Sequence, residues 1–433
     1  MITEKRHIPP WSSLIKNTAL FHAILATRAI LTILTILATL AGIAPVPGKC
    51  ASVTDFGAKG DGVSDDTAAF RAALASADKV INVPAGTWLI KERLVVPESV
   101  TLRGIGSASV IKPENIKTVF VPGSFVVLSD LKFDGEKVPE GSFNDDGLIL
   151  SQKTKDIDLA RLEFTGVDRV CIMLRDVDRA RIRGNRFGKI GMAAHLVYSS
   201  RVAIQDNFIA DARLHGIEIW GCWRTGKRPD MKWVERKSED IIVTGNHVKN
   251  GGAGAIWGTG IKRAIFANNI VDGAEDVGLD LEWSQDSVIA NNSVRNSKNG
   301  GVALFFSCEN ISITGNTIIN DHPITGKDLD AAWWVRSGIW LTYPNPNDFP
   351  GEPGHRNITI TGNTIHCIGG EGEKSGGRRA IWIGSESRNI TIGANTVSGD
   401  GKIVGGGIHG VNPMQLFELD PGKSPLNVGK SAD

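Results

Sequence analysis

The 433-residue sequence predicts an all-β solenoid, a single-stranded parallel β-helix closed at its N-terminal end by a short helix. The first observation behind this is a recurring unit in which β-branched residues alternate before a turn that ends in Asn. It reads RIRGNRF, AIQDNFI, IIVTGNHV, IFANNIV, VIANNSV and ISITGNTI, ending on Asn185, Asn207, Asn246, Asn269, Asn292 and Asn316. ITITGNTI and ITIGANTV return the unit at Asn363 and Asn395. The second observation is the spacing of the first six, 22, 39, 23, 23 and 24 residues, a period near 23 broken by one insertion. Such a period makes one coil per repeat, and stacked neighbours supply the core that no coil can bury alone. The third is composition: 50 Gly supply tight turns and 41% hydrophobic residues supply a core. A solenoid lengthens by adding coils, so this chain needs no second domain.

Each Asn is expected to sit at a turn in left-handed backbone geometry and to bond through its amide to the Asn of the next coil. At the N-terminal end, the apolar run Ala29–Pro47 follows Arg28 and carries no charge over 19 residues. That suits the h-region of an export signal, with small residues at Ala41 to Ala44 for cleavage, or else an N-terminal membrane anchor. Residues 1–50 are therefore read as signal or anchor, 51–399 as the β-helix with its cap, and 400–433 as a Gly- and Pro-rich tail that leaves the coil. The protein is expected to be secreted or periplasmic, or membrane-anchored on the alternative reading. In the first mature segment, Asp65 or Ser64 can cap a helix over 65–77 whose apolar positions are Ala69, Ala72, Ala73 and Leu74, with Asp66 at its positive end.

A net charge of +1 argues against a strongly basic nucleic-acid binder and an acidic tail. Cys50, Cys171, Cys222, Cys308 and Cys367 are odd in number and widely spaced, so they read as packing residues and offer no metal site.

The segment DFGAKGDGVSDDTAAF, followed by INVPAGTW, resembles the N-terminal signature of the pectate-lyase-like superfamily of right-handed β-helices, which includes polygalacturonases, fructan-cleaving enzymes and phage tailspikes. With the repeats, the resemblance covers Ala51 to about Gly399. It implies a right-handed coil and a carbohydrate substrate. It carries over no catalytic residue: LHGIEIWG at His215 echoes the polygalacturonase histidine motif but precedes the acidic strand, no Asp-Asp pair follows, and GIHG at His409 has no basic motif after it.

The site must then come from the strands, where alternate side chains face in and out. Aligned on the Asn turns, HGIEIWG, AIWGTG, VGLDLEW and GVALFF lie over one another. Ile217, Ile219, Leu279, Leu281, Val302 and Leu304 face the core. Glu218, Trp220, Trp257, Thr259, Asp280, Glu282, Ala303 and Phe305 face outward, and His195 falls one coil before Glu218. Asp280 and Glu282 are two residues apart on one strand, about 7 Å, and Glu218 lies two coils from Asp280, about 9.6 Å. Carboxyls at such distances can flank a glycosidic bond as acid and base or acid and nucleophile.

Asp280, Glu282, Glu218 and His195 are thus the catalytic candidates, on a face expected to be open to solvent. Trp220 and Trp257 offer platforms for sugar rings. His215, and Arg224, Trp333, Trp334 and Arg336 from the long insertions after Asn207 and Asn316, are the further substrate-binding candidates.

The expected activity is cleavage of a polysaccharide or oligosaccharide by carboxylate acid–base chemistry, as a glycoside hydrolase or intramolecular glycosyltransferase. A lyase acting on a uronate polymer is the alternative; it would need a cation, Lys, Arg or Ca²⁺, and the face shows no Lys or Arg on its strands. A non-catalytic glycan-binding or adhesive β-helix is the other. No cofactor or metal is otherwise called for. The expected partner is the glycan, with homo-oligomerisation left open, and nothing points to nucleic acid or to a membrane beyond the N-terminal segment.

Overall fold

The computed structural model describes residues 50–221, 223–225, 232–234, 237–320, 337–341, 354–367, 379–383, 387–399, 402–405 and 426–428. The described unit begins at Cys50, so the export or anchor segment Ala29–Pro47 lies outside it. No helix among the described residues is long and apolar enough to cross a membrane.

The chain winds as a right-handed parallel β-helix whose described strands form three long sheets of 14, 13 and 12 strands. Each turn of the coil contributes one strand to each sheet, so sequential neighbours within a sheet are one repeat apart. The 12-stranded sheet carries the candidate site. Its first half is β1 Leu94–Val96, β2 Phe120–Pro122, β3 Ile149–Gln152, β4 Val170–Arg175, β5 Met192–Val197 and β6 Ile217–Trp220. Its second half is β7 Ile256–Thr259, β8 Val277–Glu282, β9 Gly300–Phe305, β10 Ser337–Leu341, β11 Arg379–Ile383 and β12 Lys402–Gly405. Strand β12 pairs in parallel with β11, three residues past the boundary expected at Gly399. Leu426–Val428 lies antiparallel on the last strand of the 14-stranded sheet.

Period-two patterning builds the core. In the 14-stranded sheet Ile182, Ile204, Val243, Phe266, Ile289, Ile313, Ile360 and Ile392 lie in one register column, all at most 5% exposed. Phe133, Phe164 and Phe187 stack at 4.8 and 4.9 Å, the spacing of adjacent strands.

The eight Asn form a continuous internal ladder. From Asn185 to Asn363, each Nδ2 donates to the Oδ1 of the next Asn at 2.8–3.0 Å. Each backbone N–H reaches the same oxygen. One expectation is corrected here. The left-handed residue of each turn is the one before the ladder Asn: Gly184, Asp206, Gly245, Asn268, Asn291, Gly315, Gly362 and Ala394 all have positive φ. That residue turns the chain, which frees the following Asn to point inward and bond along the axis.

The N-terminal cap is helix α1, Thr67–Leu74, shorter than the 65–77 expected. Phe70, Ala73 and Leu74 face the core, with Phe70 edge-on to Trp88 at 5.9 Å, while Ala72 is exposed. The capping residue is Asp66, and its carboxylate turns away from the helix to accept from the Lys59 and Gly60 amides at 2.6 and 3.2 Å. Asp65 accepts from the Thr67 N–H instead, at 3.0 Å. Gly60 has a φ of +63°, and a Cβ there would come within 2.7 Å of the Trp88 ring, so the AKGDG stretch and the distant Trp form one packed corner.

Candidate active site

The site sheet holds its outward side chains in two register columns. The first runs Met173, His195, Glu218, Trp257, Asp280, Ala303, Trp340, Trp382. The second runs Arg175, Val197, Trp220, Thr259, Glu282, Phe305. The alignment read from the Asn turns is therefore the observed register, with His195 directly beside Glu218 and Glu218 two coils from Asp280. Ile217, Ile219, Leu279 and Leu281 are buried in the core.

At His195, Glu218 and Asp280 the face is not open to solvent, which corrects the expectation, while Trp220, Trp257 and Glu282 are half-buried. His195 is 2%, Glu218 1% and Asp280 4% exposed. Glu218 and Asp280 point away from the coil's core yet are closed off from solvent. At the His195 end the cover includes Phe143, from a segment between strands, packed on Leu150, Val170, Met173, Met192 and Leu214.

Burial sets the electrostatics. A carboxylate taken out of water loses hydration that the protein must replace, so the neutral form is favoured. Burial pushes Glu218 up to about 8; the Trp220 side chain opposes the shift and Glu282 adds to it. Asp280 is raised well above its ordinary value, first by burial and then by the neighbouring charges of Glu282 and Asp276, with Trp257 opposing. Glu282, half-buried, moves in the same direction, first through burial, with Trp257 and Thr259 pulling back. Two carboxyls so close cannot both ionise freely, so the Asp280–Glu282 pair retains a proton into the neutral range. Glu218 Oε2 and Asp280 Oδ1 have no hydrogen-bond partner among the described residues.

The histidines take the opposite state. Burial lowers His195 to about 3, partly opposed by the Phe143 backbone, with Arg175 and His215 acting in the same direction as burial. Its Nε2 lies 3.6 Å from Glu218 Oε1. At neutral pH this is a neutral imidazole beside a carboxyl that holds its proton. His215 is lowered to about 4 by burial, and its ring stacks on Trp257 at 5.2 Å with an interplanar angle of 4°. It thus reaches the site by fixing the Trp257 ring. Trp220 sits edge-on to His195 at 5.8 Å.

Of the insertion candidates, Trp333, Trp334 and Arg336 lie outside the described residues. Arg224 is described in its backbone only, in an antiparallel pairing of Trp223–Thr225 with Lys232–Val234. Among the described residues no group of three or more His, Cys, Asp or Glu side chains is placed to hold a metal ion.

The structure adds residues that sequence reasoning missed. Arg175 lies on the same face, so the statement that its strands carry no Lys or Arg is corrected. With Phe143, Asn144, His195, Tyr198 and Trp220 it lines a cavity of about 200 Å³ at one end of the column. The missing signal is local: the position that should carry the next ladder Asn is Leu162, which only donates its N–H to Asn185 Oδ1, at 2.8 Å. Without that Asn, the coil holding Arg175 could not be phased from the sequence.

The model of the family described as rhamnogalacturonase A/epimerase, pectate lyase-like, matches residues 50–303, more than half of the sequence. The chain belongs to that family. The match spans the cap, the coils of His195, Glu218 and Asp280, and the Arg175 cavity. A preneck appendage protein of Bacillus phage PZA is 31% identical over 169 residues, which are 39% of this chain and 16% of the phage protein. Among solved structures, the surface adhesin PfbA of Streptococcus pneumoniae superposes with a TM-score of 0.64 at 16% identity, over 88% of this chain and 98% of PfbA. The A-module of the mannuronan C-5 epimerase AlgE4 of Azotobacter vinelandii gives 0.58 at 19% identity, over 81% and 96%. At these identities the likeness is one of fold. Family members and fold neighbours include carbohydrate-modifying enzymes and an adhesin, so the fold itself does not choose between catalysis and binding.

Proposed function

We propose that this chain is an exported enzyme that cleaves glycosidic bonds of a polysaccharide or oligosaccharide, with Glu218, Asp280 and Glu282 as its acid–base groups. The observation that carries the reading is the burial of Glu218 and Asp280, with half-buried Glu282 beside them, in adjacent columns of one sheet face, where each of the three is biased toward keeping its proton. Glycoside cleavage needs one carboxyl that still holds a proton at working pH, to protonate the departing oxygen, and a second that is ionised. A buried acidic pair divides those roles by mutual repulsion. Asp280 is central, between Glu218 two coils away and Glu282 on its own strand. Trp220 and Trp257 present flat apolar surfaces for sugar rings, and the family's description as rhamnogalacturonase and epimerase is in keeping with proton chemistry on a sugar polymer.

A second reading, β-elimination or another proton abstraction on a uronate polymer, is favoured by one observation. Arg175 lines the same cavity as His195, a cation that can offset a substrate carboxylate beside an imidazole that stays neutral. Residues 51–433, purified and offered a polysaccharide panel, separate the readings. Release of reducing ends without unsaturated products supports hydrolysis. Ultraviolet absorbance from an unsaturated uronide supports elimination, and binding with neither signal supports an adhesive β-helix.

Export is part of this proposal. The mature protein is expected to start after Pro47, and N-terminal sequencing of secreted or periplasmic material checks it. Material that still contained Ile33 would point to an anchor.

A further inference from the structure

The polar stretch of the first column is short and bounded. On one side of His195 the column continues as Met173 and Leu150, both buried and apolar; on the other side of Asp280 it continues as Ala303, Trp340 and Trp382. The polar groups of this column are thus confined to β5 through β8, about 14 Å along the axis at one strand spacing per coil. The His195 end is closed by the segment 139–147, and that segment is pinned from below. Arg169, 0% exposed, donates from Nη1 to Pro139 O at 3.0 Å and from Nη2 to Asp146 O at 2.9 Å. Arg213 donates to Gly141 O at 2.6 Å while its Nε holds Asp168. Gly141 sits so close over Arg169 that a Cβ would meet the arginine Cβ at 2.7 Å. The tip of the segment then delivers Phe143, tilted against His215 at 5.3 Å, and Asn144 into the cavity wall, while Asp146 pairs with Arg175 at 3.5 Å.

We propose that residues 139–147 form a fixed wall that makes the His195 end of the face a blind pocket for a single sugar ring, so that the protein takes a glycan by its end. The inference rests on the glycan reading above. A buried Arg whose donors are spent on the carbonyls of a loop is a rigid support, since moving the loop would strand a charge away from water. The cavity of about 200 Å³ is below the roughly 300–1,000 Å³ of pockets that take drug-sized ligands, a size for one ring. Asn144, Arg175 and Tyr198 supply polar contacts for its oxygens, and the linkage to the next ring then falls toward Glu218. Arg169 is a positioning residue and touches no substrate.

The test has two arms on the full mature chain. The first needs no substrate: the His195 imidazole is titrated by NMR, assigned by difference with His195→Gln, in wild type, Phe143→Gly and Arg169→Lys. The titratable and charged groups facing His195 are Glu218, Arg175 with its partner Asp146, His215 and Tyr198, and none is replaced in these variants. Removing the wall admits water and relieves the burial that holds the wild-type ring down at about 3, so the ring is expected to titrate at a clearly higher pH in both variants. If Arg169→Lys fails to fold, Phe143→Gly alone decides. An unchanged midpoint in Phe143→Gly overturns the wall. The second arm follows product size on a glycan that the panel shows to be cut. Wild type is expected to release one- or two-ring products from the first time point, and Phe143→Gly to add longer ones. Long oligomers from wild type at early times would overturn chain-end action while leaving the acid–base reading intact. Loss of all cleavage in the panel would defeat that reading and leave the wall to the NMR arm.

Discussion

Glu218→Gln is expected to make the fold more stable at pH 8 while removing most of its activity. The sign follows from the shift. An unfolded glutamate releases its proton near 4.5, whereas burial holds the folded carboxyl protonated up to about 8. Between those values the unfolded state binds fewer protons, so stability falls as pH rises, by at most about 1.4 kcal/mol for each pH step. Below pH 4.5 both states are protonated and the penalty is absent; above 8 it is complete. Gln keeps the shape without the charge. The melting temperature of the variant at pH 8 should therefore exceed wild type by about 2–5 °C, and its decline from pH 5 to pH 8 should be shallower. A general acid that is removed costs about 10²- to 10⁴-fold in rate. Calorimetry across pH checks the first half, and an identical pH slope in the two proteins would refute it.

Asn269→Ala is expected to be among the most damaging single substitutions in the coil. Asn269, 1% exposed, accepts from both the backbone N–H and the Nδ2 of Asn246 and donates to Val243 O and Asn292 Oδ1, at 2.9–3.0 Å. Removing it strands the Asn246 N–H in the interior and breaks the ladder between coils. One orphaned buried donor costs about 1–3 kcal/mol, and the further lost bonds bring the expected total to about 3–5 kcal/mol. The neighbouring exposed Asn268 is the control. Its φ of 56° suits glycine, so Asn268→Gly should change stability by about 0.5 kcal/mol or less. Equilibrium denaturation of the two variants tests the contrast, and equal effects would mean that the ladder contributes little.

The parts legible in the sequence were those set by period. Once Asn246, Asn269 and Asn292 fix the phase of successive coils, alternation alone decides that Leu279 faces in and Asp280 faces out, and the observed register follows. Burial of the outward face was not legible. It depends on segments such as 139–147, whose residues carry no repeat and whose support, Arg169, lies on a coil lacking the ladder Asn. Arg175 lies on that same coil, and without the covering segment the alternation alone reads the acids as facing solvent. The left-handed turn position was misplaced by one residue because Asn-Asn and Gly-Asn pairs offer two candidates for it. Only the demand that the inner Asn bond along the axis separates them.

The central claim is that Asp280, flanked by Glu218 and Glu282, is the chemical centre. The most direct test is kcat and KM of Asp280→Asn on a glycan that wild type cleaves, with the melting temperature as a control for folding. The account predicts that kcat falls about 10²- to 10⁴-fold with KM changed only a few-fold and the fold intact. Wild-type turnover by a folded Asp280→Asn protein would contradict it and move the chemistry off this column.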